Sequence, residues 1–139
     1  MSPLILAELN IWTLGIILAV CWSIYSFGKT ISEMKCSDTA YCQGNIRRAN
    51  QILSRIVRSN QPGPLFIRYR NPGGLERTLA IRYCDISDFD EAIKWIQEGL
   101  RKAKLPATRM TLHALYASTL LKLGRCDEAD EQIIVAESL

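Results

Sequence analysis

One stretch near the N-terminus, Ile11–Phe27, carries no charged residue. With the apolar residues that precede it from Leu4, it approaches the roughly 20 residues that a helix needs to cross the hydrocarbon core of a bilayer. Aromatic residues lie near both ends of the run, as is typical of membrane interfaces; they are Trp12, Trp22, Tyr25 and Phe27. The run therefore predicts a retained transmembrane helix within an N-terminal segment, 1–28.

Two other interpretations of this run fit its surroundings less well. A cleavable signal peptide begins with a basic region, whereas the first ten residues carry only Glu8 as a charge, and no Ala-x-Ala-like site follows Phe27. A buried core helix needs a larger protein around it to cover every face, and 139 residues leave room for one small domain.

Basic residues close to the run lie on one side of it only. No Lys or Arg precedes it, and Lys29, Lys35, Arg47 and Arg48 follow it. The positive-inside rule then predicts a single-pass protein with its N-terminus outside and its C-terminal domain in the cytoplasm. In that reducing compartment we expect no disulfides among the five cysteines. With the opposite orientation, Cys36 and Cys42 would be the expected pair.

Beyond the run, apolar residues recur at helical spacing in three segments. These are Asn45–Ser59, Phe89–Lys104 and Ala107–Leu139, the last of them a helical hairpin broken at Gly124. Gly is suited to ending a helix because it adopts the left-handed conformation readily. The sequence predicts a mainly α fold, divided into the N-terminal segment, a juxtamembrane linker at 29–43 and a small cytoplasmic helical domain at 44–139.

The segment 64–83 fits two structures. Apolar and other residues alternate on either side of the turn sequence Asn71-Pro72-Gly73-Gly74, which predicts a β-hairpin and an α+β fold. Apolar residues over Leu75–Ile86 also recur at helical spacing, which predicts a helix instead. The pattern alone leaves both open.

A six-residue pattern occurs three times, at 44–49, 87–92 and 124–129. Each copy has a small residue, a polar or charged residue, an apolar residue, two charged residues and Ala, and each opens an amphipathic helix. Its alanines, Ala49, Ala92 and Ala129, are 43 and 37 residues apart. In this respect the chain resembles the tetratricopeptide repeat family, whose period is about 34 residues.

The resemblance extends into the preceding helices. Leu79-Ala80-x-x-Tyr83 is similar to the family's Leu-Gly-x-x-Tyr motif, and Tyr116-Ala117-x-x-Leu120 occupies the same places in the last copy. It covers residues 74–139 and, in a more degenerate form, 30–59, where no helix precedes the first copy convincingly. Glu76 and His113 stand where the family has Trp. The resemblance implies helix pairs whose concave surface binds a peptide or helix of a partner.

No group of residues predicts catalysis. His113 is the only histidine and lies among apolar neighbours, so we expect it to be structural. The sequence has no nucleophile motif and no phosphate-binding loop, and Cys36 and Cys42 lack the second pair that a zinc site needs. We therefore predict that the protein is not an enzyme and that it has no cofactor and no metal site.

Charge is distributed unevenly. The total of +3 divides into −1 from Glu8, +7 over residues 28–83 and −3 over residues 84–139. Basic residues beside a cytoplasmic membrane face are attracted to anionic headgroups. Arg47, Arg48, Arg55 and Arg58 are the candidate patch facing the membrane or a partner. Nucleic acid is a less favoured ligand, because the sequence has no recognised motif or stacking platform for it.

The sequence thus predicts a membrane-anchored scaffold whose partners are the lipid bilayer and membrane-associated proteins. An alternative is a structural accessory subunit of a larger membrane complex. Gly15, Ala19 and Ser23 recur at four-residue spacing on one face of the run and would let another span pack closely. A further alternative is a basic regulator that binds lipid or nucleic acid.

Overall fold

The computed structural model describes residues 3–59, 63–64 and 71–139, with only the backbone described for residues 3–9. Its principal elements are six helices, and none of the described residues forms a strand. They are α1 (Pro3–Cys42), α2 (Ile46–Arg58), α3 (Gly74–Asp85), α4 (Phe89–Lys102), α5 (Pro106–Lys122) and α6 (Cys126–Glu137). The prediction of a mainly α fold is confirmed.

Helix α1 has 40 residues and is about 60 Å long, twice the roughly 30 Å of a bilayer's hydrocarbon core. By length and composition it is the one helix in the described part of the chain that could cross a membrane. Only 6% of its apolar 18-residue stretch is buried against the rest of the chain, which argues against a core helix. Trp12 and Ile24, for example, are largely exposed.

The second half of α1 packs against the other helices. Its buried residues are small: Ser26, Thr30, Ser37 and Ala40. The Thr30 hydroxyl donates to the carbonyl of Ser26, and the Ser37 hydroxyl donates to the carbonyl of Ala49 on α2. Because these hydroxyls are satisfied by backbone oxygens, they can be buried without an unpaired polar group. Residues 29–42, assigned to a linker from the sequence, are helical and continuous with the apolar run.

The helices pack in adjacent pairs: α1 with α2, α3 with α4, and α5 with α6. Successive pairs join through α2–α3, α4–α5 and α3–α5 contacts. The larger part of the core lies between the first two pairs, where Ile56, Leu79 and Ile96 are almost fully buried. A smaller cluster of Ala117, Leu120 and Ala129 joins the last pair. This arrangement is compatible with a helical-repeat fold.

The three copies of the sequence pattern form the same turn. Each begins with a residue at positive φ: Gly44 at 79°, Ser87 at 59° and Gly124 at 75°. The next amide in each copy donates to the carbonyl five residues back, and the pairs are Asn45–Ala40, Asp88–Tyr83 and Arg125–Leu120. These are the bonds of a Schellman helix end. Ala49, Ala92 and Ala129 are all 0% exposed, so the sequence repeat is also a structural repeat.

The alternative of a β-hairpin at 64–83 is not supported. Residues 74–83 belong to α3, and residues 65–70, which would supply the first strand, lie outside the described residues. The alternating pattern of apolar residues does not describe this segment, because it places Leu79 and Arg82 on opposite faces of a strand. Both side chains are buried, and Arg82 is buried because its charge has partners on α1.

Candidate functional site

A polar cluster joins α1 to α3. We call its residues, Ser37, Asp38, Tyr41, Arg82 and Asp85, the α1–α3 seam. Arg82 donates from Nη1 to Ser37 Oγ at 2.7 Å and from Nη2 to Asp38 Oδ1 at 2.6 Å. Its guanidinium carbon lies 4.9 Å from the ring centroid of Tyr41, within cation–π range. The side chain of Arg82 is 8% exposed and that of Asp38 is 65% exposed.

A second bond closes the α1–α3 seam. The Tyr41 hydroxyl donates to Asp85 Oδ2 at 2.5 Å. The Asp85 carboxylate accepts the phenolic proton and so raises the pKa of Tyr41, with smaller contributions from burial and from the negative charge itself. Tyr41 therefore stays a neutral donor throughout the physiological range.

Helix α5 contacts α3 in a corresponding way. Cys84 Sγ lies 3.4 Å from Thr119 Oγ1, and Arg77 Nη1 donates to Thr111 Oγ1 at 3.4 Å. Arg82 and Thr119 both precede their turn residues, Ser87 and Gly124, by five positions, and both contact the preceding odd-numbered helix. Helices α1, α3 and α5 thus form one row. We give the name odd-helix face to four of the exposed residues of this row, Asp38, Ile81, Ser118 and Leu121.

A groove lies between α2 and α4, with a volume of about 440 Å³. Trp95 forms its floor at 7% exposure, and the Arg58 guanidinium lies 5.6 Å from that ring's centroid. Val57 and four charged residues line the rest of it; the charged residues are Glu91, Lys94, Glu98 and Lys102. Its wall is thus mixed in charge rather than apolar.

Lys102 connects this groove to a buried carboxylate. Its Nζ lies 2.9 Å from Oε1 of Glu76, which is fully buried, and 2.7 Å from Oε1 of Glu98. Hydrogen bonds from Arg101 and then Lys102 lower the pKa of Glu98 to about 2. Lys102 thus compensates the buried charge of Glu76.

The four arginines of the candidate basic patch are all exposed, but the structure does not bring them together. Arg47 and Arg48 lie in the first turn of α2, whereas Arg55 and Arg58 lie in its last turn. The two pairs are separated by about 14 Å along the helix axis. None of the four forms an ion pair with an acidic residue in the described part of the chain.

The candidate packing face of the span is open. Gly15, Ala19 and Ser23 are exposed along α1, and no atom lies within 4 Å of the position that a Cβ of Gly15 would take. The Ser23 hydroxyl donates to the carbonyl of Ala19, so this face presents little unsatisfied polarity.

The only histidine joins the last two helices. His113 Nδ1 on α5 lies 2.8 Å from Gln132 Oε1 on α6. No cluster of three metal-ligating side chains occurs among the residues that the structure describes. All five cysteines are free thiols, including Cys36 and Cys42, which are both exposed on α1.

The residues of the α1–α3 seam were not found from the sequence. The repeat does contain a signal for this cluster, because Arg82 and Thr119 both lie five residues before their turn residues. Applying the same position to the first turn requires a helix before that turn, and the sequence did not predict one.

No protein-family model matches the chain, and no curated protein is significantly similar to it.

Proposed function

We propose that this protein is a membrane-anchored interaction protein, with one span and a tetratricopeptide-like domain of three helix pairs on the cytoplasmic side. The observation that carries the proposal is the continuity of α1. The same helix supplies the apolar run and the first member of the first helix pair. A domain attached in this way is positioned by the span rather than tethered by a flexible linker.

The attachment is reinforced where the apolar run ends. Gly63 and Pro64 are buried, and the Gly63 amide lies 3.4 Å from the Ser26 hydroxyl. A Cβ on Gly63 would lie 2.7 Å from Thr30 Oγ1. The chain between α2 and α3 thus touches α1 at the end of the span. Holding the domain at the membrane raises its effective concentration for membrane-bound partners.

The odd-helix face is the docking surface that the resemblance to tetratricopeptide repeats suggests. It offers exposed apolar side chains at Ile81 and Leu121, together with the mostly exposed carboxylate of Asp38, which also pairs with Arg82. A short helix or extended peptide with apolar residues and one basic residue has the complementary chemistry.

The test is co-purification from detergent with three forms of the full chain. In one, residues 11–27 are replaced by an unrelated single span. In the second, Ile81→Glu and Leu121→Glu place charge on the odd-helix face. The third, Ile134→Glu, is a matched control at an exposed apolar residue of α6. We expect the partner to be retained by the span replacement and the control, and lost from the double variant.

A structural accessory subunit is the second candidate, and the open face of Gly15, Ala19 and Ser23 favours it. An accessory subunit predicts the opposite result in the same experiment: the chain with the replaced span loses the partner, and the Ile81→Glu/Leu121→Glu variant keeps it. Loss of the partner from the Ile134→Glu control would instead place the interaction on α6 and contradict the odd-helix face.

A further inference from the structure

The end of α2 forms a small basic concavity. Ser54, Arg55, Arg58 and Ser59 line a volume of about 430 Å³, which we call the α2-end concavity. Both arginines are exposed, and neither is ion-paired with an acidic residue over the ranges 3–59, 63–64 and 71–139. Two guanidinium groups without an ion-pair partner thus lie on one turn of the helix, and that of Arg58 also faces the mixed-charge groove at Trp95.

The direction of α2 places this concavity at the end of the span. Helix α2 runs antiparallel to α1, and the Ser37–Ala49 hydrogen bond fixes which residues lie at the same height. With a rise of 1.5 Å per residue, Arg58 returns to about the level of Gly28, and Arg55 to about the level of Ile31. By the same measure Arg47 and Arg48 lie about 17 Å beyond Phe27.

An independent contact supports this height. Just after α2, Gly63 lies against Ser26 and Thr30, at the end of the apolar run. Lys29 is exposed at the same level. If Ile11–Phe27 spans the hydrocarbon, Arg55 and Arg58 lie where lipid headgroups are, and Arg47 and Arg48 lie beyond them.

The chemistry of the concavity suits a phosphate. Guanidinium groups bind phosphate oxygens through paired N–H donors. Arg58 is held against the Trp95 ring, so it loses less freedom on binding. The negative end of the α2 dipole opposes an anion here. That opposition is reduced because the Ser59 amide donates to the carbonyls of Arg55 and Ile56.

We propose that the α2-end concavity binds the phosphate headgroup of an anionic membrane lipid, through Arg55 and Arg58. The inference rests on the proposed membrane anchoring of α1. A membrane lipid is the source favoured over a soluble phosphate because the site lies at headgroup height. A soluble anion would have equal access to Arg47 and Arg48 at the other end of the helix.

The test is native mass spectrometry of the full chain in detergent, titrated in turn with phosphatidylglycerol, phosphatidylcholine and inorganic phosphate. The variant Arg55→Gln/Arg58→Gln removes the concavity's charge. The variant Arg47→Gln/Arg48→Gln is a matched control with the same charge change on the same helix. At about fivefold per basic residue, we expect the first variant to weaken phosphatidylglycerol binding about 25-fold and the second to change it less than twofold.

Three results would overturn the proposal: equal effects of the two double variants, equal binding of phosphatidylcholine, or inorganic phosphate binding as tightly as the anionic lipid. Membrane anchoring is measured separately by alkaline extraction of membranes that contain each variant. A chain released by alkali contradicts the anchor itself. A chain that stays in the membrane, with both variants binding lipid equally, contradicts only the headgroup site.

Discussion

The Nη2 atom of Arg82 lies 2.6 Å from Oδ1 of Asp38, and this ion pair joins the helix that carries the apolar run to the second helix pair. Its two partners are in different environments, since Arg82 is buried and Asp38 is mostly exposed. Removing the carboxylate leaves a buried guanidinium with only the Ser37 hydroxyl and the Tyr41 ring. The ion pair therefore contributes to stability chiefly because Asp38 compensates the charge of the buried Arg82.

Asp38→Asn should lower the free energy of unfolding by about 1–2 kcal/mol, because a buried charge loses its partner while the exposed position limits the loss. Chemical denaturation of the full chain in detergent measures it. Glu131→Gln, at an exposed residue of α6 outside the α1–α3 seam, is the control and should change stability by less than about 0.5 kcal/mol. Equal effects of the two substitutions would show that the ion pair does not contribute.

Acid should weaken the fold through Glu98. Its pKa is lowered to about 2 in the folded chain, below the ordinary value of 4.5, so its contribution is present above pH 4.5 and is lost as the pH falls towards 2. The carboxylate is about one-third exposed, and solvent screening keeps this contribution below about 1 kcal/mol. Thermal unfolding between pH 2 and pH 7 should show a shallower decline in Glu98→Gln than in the native chain. Identical declines would contradict a stabilising role of ionised Glu98.

Ser87 should be replaceable by Gly with a gain in stability. It is the only non-glycine residue at positive φ in the described chain, and the left-handed conformation costs a side-chain-bearing residue about 1 kcal/mol. Part of the gain is offset by the greater freedom of Gly in the unfolded chain, so Ser87→Gly should stabilise by about 0.5 kcal/mol.

The complementary substitution is Gly124→Ala. A Cβ there would meet nothing within 4 Å, so its cost, about 1 kcal/mol, comes from the backbone alone. Denaturant midpoints compare the two variants, and a stabilising Gly124→Ala would contradict the equivalence of the turns.

Two glycines near the end of the apolar run should respond to replacement by Ala with opposite changes in stability. At Gly63 a Cβ would lie 2.8 Å from the Ser26 carbonyl oxygen, so Gly63→Ala must displace the chain from α1 and destabilise the domain. At Gly28, within α1, a Cβ meets nothing within 4 Å, and Ala should stabilise the helix by about 0.5–1 kcal/mol. Thermal melts followed by circular dichroism measure both. The same sign for both would contradict the packing of Gly63 against α1.

Much of the fold follows from local signals in the sequence. Asn45 and Asp88 accept bonds from backbone amides of the first helical turn, and the positive-φ residues before them end the preceding helices, so the starts of α2 and α4 were predictable. Charge and spacing also identified the arginines of α2. The height of each arginine pair relative to the apolar run was not predictable, because it depends on α2 packing antiparallel to α1.

The first helix of the array was missed for a different reason. Nothing ends the apolar helix after Phe27, and its buried face then consists of Ser26, Thr30 and Ser37 rather than large apolar residues. Periodicity of hydrophobic residues does not detect such a face. The Thr30 and Ser37 hydroxyls can be buried because each donates to a backbone carbonyl, and only the three-dimensional structure shows these bonds.

The central claim is that α1 runs without a break from the apolar run into the helical array, and two native cysteines measure its continuity. In the full chain with Cys36→Ser, Cys84→Ser and Cys126→Ser, spin labels at Cys21 and Cys42 report the distance by double electron–electron resonance in a lipid bilayer. A continuous helix predicts one narrow distribution, corresponding to about 32 Å between the two Cα atoms. A broad distribution, or a maximum below about 25 Å, would place a hinge between the span and the domain and contradict the account.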